Sequence, residues 1–323
     1  MTDDNQDEAI AISSAASSAA SSTRSQLRAT SVEARLIDAR LELVHRVWGR
    51  VPALYNHAVL CSGGLPYRNL GDDVRVFQRS SGTTSLRLEA GALPSADGSF
   101  VDVGLPYGPR ARLLLLHLCS AAVKSQSPVV EVADSFTAFA RSLGLATSGR
   151  NLRTLRDQIN RMSVVSMRLA KRQGEYVDVF QGPVFSTLRA ELPAEPNQLS
   201  LWTSFVEFSP AFYNSLVQHA VPLRLEAIAA LKHSARALDI YAWLAHRLWR
   251  VKGNGIHLKW TTLRFQFGTQ HQDIKSFKRA FRAALKQVLV VYPDAKVEVA
   301  TGGLLLRCSR PPVPFNRPGV LTG

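Results

Sequence analysis

The strongest constraint on the fold is an order of predicted elements that occurs twice along the chain. Helix, strand, helix, helix and β-hairpin are predicted between residues 110 and 180, and the same order is predicted between residues 235 and 307. Each element of the second set begins about 125 residues after its counterpart, and matching order and spacing over six elements indicate an internal repeat. The sequence therefore predicts two copies of one α+β unit.

Apolar periodicity and capping residues place the elements of each copy. The first copy comprises helix 110–124, strand 128–132, helix 135–143 capped by Ser135, a helix from Ser148 or Asn151 to Met162, and hairpin strands 164–171 and 176–180. The second comprises helix 235–250, strand 256–260, helix 261–267 capped by Thr261 or Thr262, helix 273–291, and a hairpin within 297–307. Further elements are predicted as helix 31–48, strands 74–78, 85–89 and 199–208, and two helices within 210–231.

This order is the layout of a winged helix-turn-helix, in which the third helix enters the major groove of DNA and the hairpin contacts the flanking backbone. The predicted fold class is α+β, with two winged helix-turn-helix domains in tandem. The predicted divisions are a disordered Ser/Ala-rich tail (1–30), a first domain with an N-terminal extension (31–192), a second domain (197–311) and a flexible tail (312–323). Residues 31–103 either fold onto the first domain or form a dimer interface.

The charge balance of the chain favours a polyanion as its partner. Lys and Arg number 39 against 25 Asp and Glu, which gives a formal net charge of +14 over 323 residues. Cations that release phosphate counterions bind DNA or RNA non-specifically, so a nucleic acid is the expected partner. No apolar run approaches the roughly 18 residues of a membrane span, and the acidic start lacks the features of a signal peptide. We expect a cytoplasmic protein without membrane contact.

The predicted third helix of the second copy has two distinct sides when it is plotted at about 100° per residue. One stripe, roughly 100° wide, carries the basic residues Lys275, Lys278, Arg279, Arg282 and Lys286. The opposite side carries Ile274, Phe277, Phe281, Leu285 and Val288. This pattern predicts a helix that packs on a core and offers its outer face to DNA; a merely solvated basic face is the alternative.

The third helix of the first copy shows the same division. Its apolar side carries Leu152, Leu155, Ile159 and Met162. Its remaining surface carries the predicted DNA contacts Arg150, Arg153, Arg156, Asn160 and Arg161. Basic residues near the hairpins extend the predicted interface: Lys171, Arg172, Lys296 and Arg307. Of all these residues, we expect Arg153, Arg156, Arg279 and Arg282 to be the base readers and most of the other basic residues to hold phosphates. The amide of Asn160 has the groups to pair with adenine.

Signatures of catalysis and of metal binding are missing from the sequence. The chain has no P-loop, no HExxH and no pair of histidines at i, i+2. Cys61, Cys119 and Cys308 are far apart, and we interpret all three as small buried hydrophobes. Asp239 and Tyr241 lie among large apolar residues, which favours a buried packing helix over an acid and a nucleophile. We therefore predict no catalytic residue, no metal and no cofactor.

An ordered set of short motifs resembles the plasmid-encoded RepA-type replication initiators of Gram-negative bacteria. The set comprises Gly104-Leu-Pro-Tyr-Gly108, Ser135-Phe-x-x-Phe139, Leu143-Gly-Leu145, Leu155-Arg-x-Gln158, Phe208-Ser209, Val221-Pro222 and Ala237-Leu-Asp-Ile-Tyr-x-Trp-Leu-Ala245. The resemblance covers residues 100–310, whereas the Ser/Ala-rich start departs from it. The family's DNA-contacting third helices fall on Arg150–Arg161 and Lys275–Lys286, which are the helices that the periodicity selects.

This resemblance implies a non-enzymatic protein that binds directly repeated double-stranded DNA sites in a plasmid origin. It also implies that the protein promotes opening of the origin, recruits host initiation and helicase-loading proteins, and forms a homodimer on its own promoter. Two alternatives stay open at the level of sequence. One is a winged-helix transcriptional regulator, or autorepressor, on a promoter palindrome. The other is a relaxase or nuclease with an unrecognised metal site.

Overall fold

The computed structural model of the protein describes residues 31–42, 52–95, 97–132, 135–191, 202–268 and 273–314. These residues form a mixed α+β fold, as predicted. The predicted tail at 1–30 and the predicted break at 193–196 lie outside the described residues, as does most of the tail predicted at 312–323.

Most of the predicted elements are present, several with shifted bounds. The helices are α1 (31–42), α2 (Ala58–Ser62), α3 (Gly108–Ser125), α4 (Phe136–Ser142), α5 (Gly149–Ser163), α6 (Pro210–Gln218), α7 (Leu225–Leu231), α8 (Ala235–Arg247), α9 (Trp260–Phe267) and α10 (Ile274–Val291). The strands are β1 (Ala53–His57), β2 (Val76–Ser81), β3 (Thr84–Glu89), β4 (Ala92–Pro94), β5 (Phe100–Asp102), β6 (Val129–Glu131), β7 (Ser166–Gln173), β8 (Tyr176–Pro183), β9 (Phe185–Glu191), β10 (Trp202–Phe208), β11 (Ala220–Arg224), β12 (Ile256–Lys259), β13 (Val297–Val299) and β14 (Gly303–Leu306). We call α3 to β8 the first repeat and α8 to β14 the second repeat.

Local side-chain chemistry sets the helix pair α4–α5 of the first repeat. The Ser135 hydroxyl accepts a hydrogen bond from the Ala138 amide at 3.2 Å and caps α4, as predicted. Gly144 follows the helix with a φ of +66°, in the left-handed region that favours glycine. Ser148 is the N-cap of α5. The chain therefore turns between the two helices where the sequence indicates.

The equivalent pair α9–α10 of the second repeat differs from the prediction at one end. The Asp273 carboxylate accepts a hydrogen bond from the Ser276 amide at 2.7 Å and begins α10. Helix α9 begins at Trp260 with Lys259 as its N-cap and has no side-chain capping bond, so the prediction that Thr261 or Thr262 caps it is wrong. The bulky ring of Trp260 enters the core at that point, with 3% of its surface exposed.

The two repeats differ in the pairing of their strands. In the second repeat the sheet order is β12-β14-β13, so the strand before α9 pairs with the second strand of the hairpin. In the first repeat the hairpin β7–β8 continues a four-stranded sheet of order β2-β3-β7-β8, while β6 pairs with β10. Residues 76–89 therefore fold onto the first repeat through β3. For these residues, the structure decides between folding onto the first domain and forming a dimer interface, which the sequence leaves open.

Elements outside the repeats connect them. Strand β11 lies between the two helices of segment 210–231 and pairs antiparallel with β1; the sequence predicts neither strand. Leu36 and Ala39 of α1 belong to the hydrophobic core of the second repeat, whereas Phe212 and Leu216 of α6 belong to that of the first. Helix α1, before the division predicted between residues 192 and 197, therefore packs in the core of the second repeat. Helix α6, after that division, packs in the core of the first repeat.

The junction between the repeats contains a buried cluster of charges and aromatic rings. Arg112 of α3 pairs with Asp239 of α8. The guanidinium groups of Arg79, Arg112 and Arg236 each lie 5.0 Å from the centre of the Tyr67 ring. Both Asp239 and Tyr241 are buried, which confirms that α8 is a packing helix. This cluster fixes α3 against α8, the first helices of the two repeats.

Candidate nucleic-acid interface

Helix α10 has a buried apolar side and an outer basic side, as its sequence predicts. Phe277, Phe281 and Val288 are each 0% exposed. The opposite side is what we call the basic face of α10; Lys278 is half-buried in it, and its exposed members are Lys275, Arg279, Arg282 and Lys286. A shallow open groove follows this face. The core therefore holds the helix in a rotation that turns its cations outward.

The charge of this face is not compensated by nearby acids. Among the described residues, none of its five cations forms an ion pair with a carboxylate. Asp273 lies at the start of α10, where it caps the helix. Unpaired cations along one helix face attract the phosphates of a polyanion.

An aromatic ring lies beneath part of this face. Trp260 is buried and packs edge-on against Phe277 and Phe281, with ring centres 6.5 and 6.0 Å away. The Lys278 ammonium lies 5.8 Å from the centre of the Trp260 ring and the Arg282 guanidinium 5.1 Å from it. Both distances fall within the range of cation–π attraction.

Helix α5 carries a smaller basic face. Leu155 and Met162 on its inner side are 0% and 1% exposed. On its outer side Arg150 and Arg153 are exposed, while Arg156 is half-buried, with its guanidinium 5.1 Å from the centre of the Phe136 ring. We call these three arginines the basic face of α5. The described residues contain no carboxylate paired with any of them.

Two predicted contacts on α5 are placed differently by the structure. Arg161 is 7% exposed, and its guanidinium pairs with Asp157 at 2.8 Å and with Asp72 at 2.9 Å. Gly104 lies so close that a Cβ there would be 2.2 Å from the Arg161 guanidinium. Arg161 therefore joins α5 to the loop before α3 and lies outside the exposed basic face, contrary to the prediction. Asn160 is half-buried, with its amide oxygen enclosed by the protein.

The basic residues of the hairpins are less uniform than predicted. Arg172 is exposed at the turn of β7–β8, but Lys171 is half-buried in a pocket that His57, Asp178 and His219 also line. In the second repeat Lys296 and Arg307 are exposed.

Arg307 is tied to its own hairpin. Its Nε lies 3.0 Å from Glu298 Oε1. An exposed pair of this kind contributes about 0–1 kcal/mol to stability, so a phosphate can replace the carboxylate at little cost.

The structure also bears on metal binding, membrane insertion and the cysteines. Within the described ranges, no group of three His, Cys, Asp or Glu side chains is placed to hold a metal ion. None of the helices described there is long and apolar enough to cross a membrane. Cys61 and Cys119 are buried, and burial raises the pKa of both thiols. Cys308 is exposed, so its interpretation as a buried hydrophobe is wrong.

Sequence reasoning missed the two rings next to the basic faces. Phe136 and Trp260 are each the first residue of the second helix of their repeat. Aligning the two repeats element by element would have placed these aromatic residues at matching positions. The helical wheel does not show them, because it treats each helix alone.

Comparison with known proteins gives one family match and two structural alignments. Residues 105–261 match the family described as plasmid-encoded RepA protein. No curated protein matches the chain. Two crystal structures of domains 2 and 3 of RctB, one of them a selenomethionine derivative, align with 12% sequence identity over 78% of this chain. Their TM-scores are 0.49 and 0.47, and the alignments cover 98% and 97% of those chains. Over residues 105–261, about half of its length, the chain is therefore similar to plasmid-encoded RepA proteins.

Proposed function

We propose that this protein initiates plasmid replication by binding repeated double-stranded DNA sites in the origin, with α5 and α10 in successive major grooves. The observation that carries the proposal is the pair of uncompensated basic faces on these helices, each the third helix of its repeat. The match of residues 105–261 to plasmid-encoded RepA proteins supports the role in replication initiation. A major groove of B-DNA admits one α-helix, whose arginines can then reach base edges.

The strand order of the second repeat supports a winged-helix assignment. Strand β12 precedes the helix pair and closes onto the hairpin β13–β14, so α10 lies between a helix and a wing. We assign the first repeat to the same class, with β7–β8 as its wing. There the wing is part of a wider sheet, because β3 pairs with β7 along its whole length.

The two basic faces are unequal, and this favours a repeated site over a palindrome. The face of α5 has three arginines, whereas that of α10 has two arginines and three lysines. A palindrome suits two identical faces from two subunits, while two different faces in one chain suit a site without internal symmetry. The reading as a transcriptional regulator is therefore the less favoured one.

We further propose that the protein acts without catalysis, in the cytoplasm, by opening the origin and recruiting host initiation and helicase-loading proteins. The uncompensated faces offer binding energy for DNA deformation, and the sequence offers no nucleotide-binding loop. Cleavage of the origin is the competing chemistry. Incubation of supercoiled origin DNA with the protein and Mg²⁺ should leave the plasmid closed, and nicked circles would contradict this part of the proposal.

Footprinting on a supercoiled plasmid that carries the gene and its flanking DNA tests the main proposal. We expect protection of a tandem array of sites, each about twenty base pairs long because two modules about one helical turn apart cover that length. Loss of protection should follow substitution of either basic face, by Arg153→Ala together with Arg156→Ala or by Arg279→Ala together with Arg282→Ala. Protection of a single palindrome at the promoter, with no repeated array, would support the regulator instead.

A further inference from the structure

Each DNA-facing helix has one arginine that lies over an aromatic ring from the preceding helix. In the first repeat the ring is Phe136 and the cation is Arg156; in the second they are Trp260 and Arg282. The distance from guanidinium to ring centre is 5.1 Å in both. A contact that recurs in two copies with little sequence in common indicates a shared role.

Buried residues show that the two arginines occupy the same helical position. The residues that match around Arg156 and Arg282, all buried, are Leu155 and Phe281, Ile159 and Leu285, and Met162 and Val288. The two rings match as well, since Phe136 and Trp260 each begin the second helix, which is followed at the same distance by Gly144 and Gly268. The ring and the arginine therefore occupy equivalent positions in the two repeats, each when aligned within its own helix.

The ring changes what its arginine can do in a DNA groove. A free arginine loses rotamer freedom when it binds, and this loss offsets part of the gain from its hydrogen bonds. A guanidinium that already lies over a ring is ordered before binding and still presents its donor edge outward. Arg153 and Arg279, one turn earlier on the same helices, are exposed and make no ring contact among the described residues.

We propose that Phe136 and Trp260 are positioning residues that orient Arg156 and Arg282 as the guanine-reading arginine of each repeat. This inference rests on the proposed function and narrows its four candidate base readers to two. Arginine makes a bidentate pair with the O6 and N7 atoms of guanine, a geometry that depends on the plane of the guanidinium. Arg153 and Arg279 are then phosphate contacts.

Selection of binding sites from a randomised duplex library tests the proposal, because the selection itself reveals the target sequence. The full chain is used as wild type and as Arg156→Ala, Arg282→Ala, Phe136→Leu and Trp260→Leu. We expect Trp260→Leu to relax the guanine preference at the same base pair as Arg282→Ala. Phe136→Leu should relax a different base pair, the one that Arg156→Ala relaxes.

Affinities for the selected duplex and for a random duplex of equal length separate positioning from folding. Each ring variant should bind the selected duplex about tenfold more weakly and the random duplex nearly unchanged, because only base readout is lost. Trp260→Phe keeps a ring under Arg282 and should recover most of the preference. A matched control is Trp249→Leu, which removes a ring 4.4 Å from the Arg250 guanidinium, outside both basic faces, and should change neither affinity.

The buried position of Trp260 calls for a second readout that does not depend on DNA. Ring-current shifts of the Arg282 Nε–Hε signal should be present in the wild-type protein and lost in Trp260→Leu. Phe136 is half-buried, so Phe136→Leu should disturb the core less than Trp260→Leu does. The same NMR measurement on Arg156 then tests the first repeat.

The possible outcomes are distinct. If the wild-type protein selects no sequence, the proposed function is wrong, and this inference falls with it. If the wild type selects a repeat but the ring variants keep their guanine preferences, the inference alone is overturned. Equal losses on selected and random DNA would also overturn it, since they would assign the rings to folding.

Discussion

Arg112 of α3 and Asp239 of α8 form a two-pronged ion pair, with Nε–Oδ1 at 2.6 Å and Nη2–Oδ2 at 2.8 Å. Their side chains are only 8% and 7% exposed. Backbone carbonyls of Leu65, Pro66 and Gly108 accept the remaining hydrogen bonds of the guanidinium. The pair is therefore fully satisfied, and it joins the first helix of one repeat to the first helix of the other.

Breaking this pair from one side should destabilise the whole chain. Asp239→Ala leaves the Arg112 charge buried without its main partner, which costs about 3–5 kcal/mol of the free energy of unfolding. Urea denaturation followed by circular dichroism measures this change. Glu298→Ala, which removes the carboxylate of the exposed pair with Arg307, is the control and should cost less than about 1 kcal/mol. If Asp239→Ala also cost less than about 1 kcal/mol, the stability of the junction would not depend on the ion pair.

His57 should make stability depend on pH. Burial, with smaller contributions from His219, Lys171 and His246, lowers the pKa of His57 from 6.5 to about 3. Its ring is engaged while neutral, because Nδ1 accepts from the Val59 amide at 3.2 Å and Nε2 lies 2.9 Å from the Ser215 hydroxyl. Since the folded pKa lies below the unfolded one, the stabilisation is present above pH 6.5 and is lost as the pH falls towards 3.

The measurement is the free energy of unfolding between pH 7 and pH 4. His57→Gln should reduce the acid-side slope by about 1.4 kcal/mol per pH unit, the contribution of one histidine that must be neutral in the folded state. His257→Gln replaces an exposed histidine and should keep the wild-type slope. Parallel slopes for the wild type and His57→Gln would show that His57 titrates normally.

Periodicity predicts the helices and their faces because each contains enough residues to define a side. The wheel of α10 separates Phe277 and Phe281 from Lys275 and Arg279, and the structure separates them in the same way. Capping residues add the ends, as Ser135 and Asp273 do for α4 and α10. These signals are local, so a single sequence contains them.

Contacts between distant residues lie beyond that reasoning. Arg161 has the same charge and helical spacing as a DNA contact, but its partner Asp72 is far away in sequence, and nothing in the spacing reveals the pairing. Strands β1 and β11 are also far apart in sequence, as are Arg112 and its partner Asp239, so periodicity reveals neither pairing. The predicted set of exposed contacts is therefore too large by at least Arg161, while the outer basic faces of α5 and α10 are present as the wheels predict.

Experiment can distinguish the buried, ion-paired Arg161 of α5 from the exposed Arg153 of its basic face. Arg161→Met should lower the free energy of unfolding by about 2 kcal/mol, less than for a fully buried pair because the Asp72 side chain is 62% exposed. Arg153→Met replaces an exposed side chain and should change stability by less than about 0.5 kcal/mol while weakening DNA binding. Urea denaturation and DNA titration of both variants make the comparison. If Arg161→Met had wild-type stability but bound DNA more weakly, Arg161 would be a DNA contact after all.

The salt dependence of binding should reflect the cations that the structure leaves outside the core. The two basic faces carry Arg150, Arg153, Arg156, Lys275, Lys278, Arg279, Arg282 and Lys286.

If each of these cations neutralises one phosphate, the slope of log affinity against log salt should be about −7. Lys275→Gln removes one exposed cation and should make the slope shallower by about 0.9. Lys252→Gln, at an exposed turn outside both faces, should leave it unchanged. A wild-type slope of about −4.5 or shallower would mean that only one of the two faces reaches DNA at a time, because the larger face carries five cations.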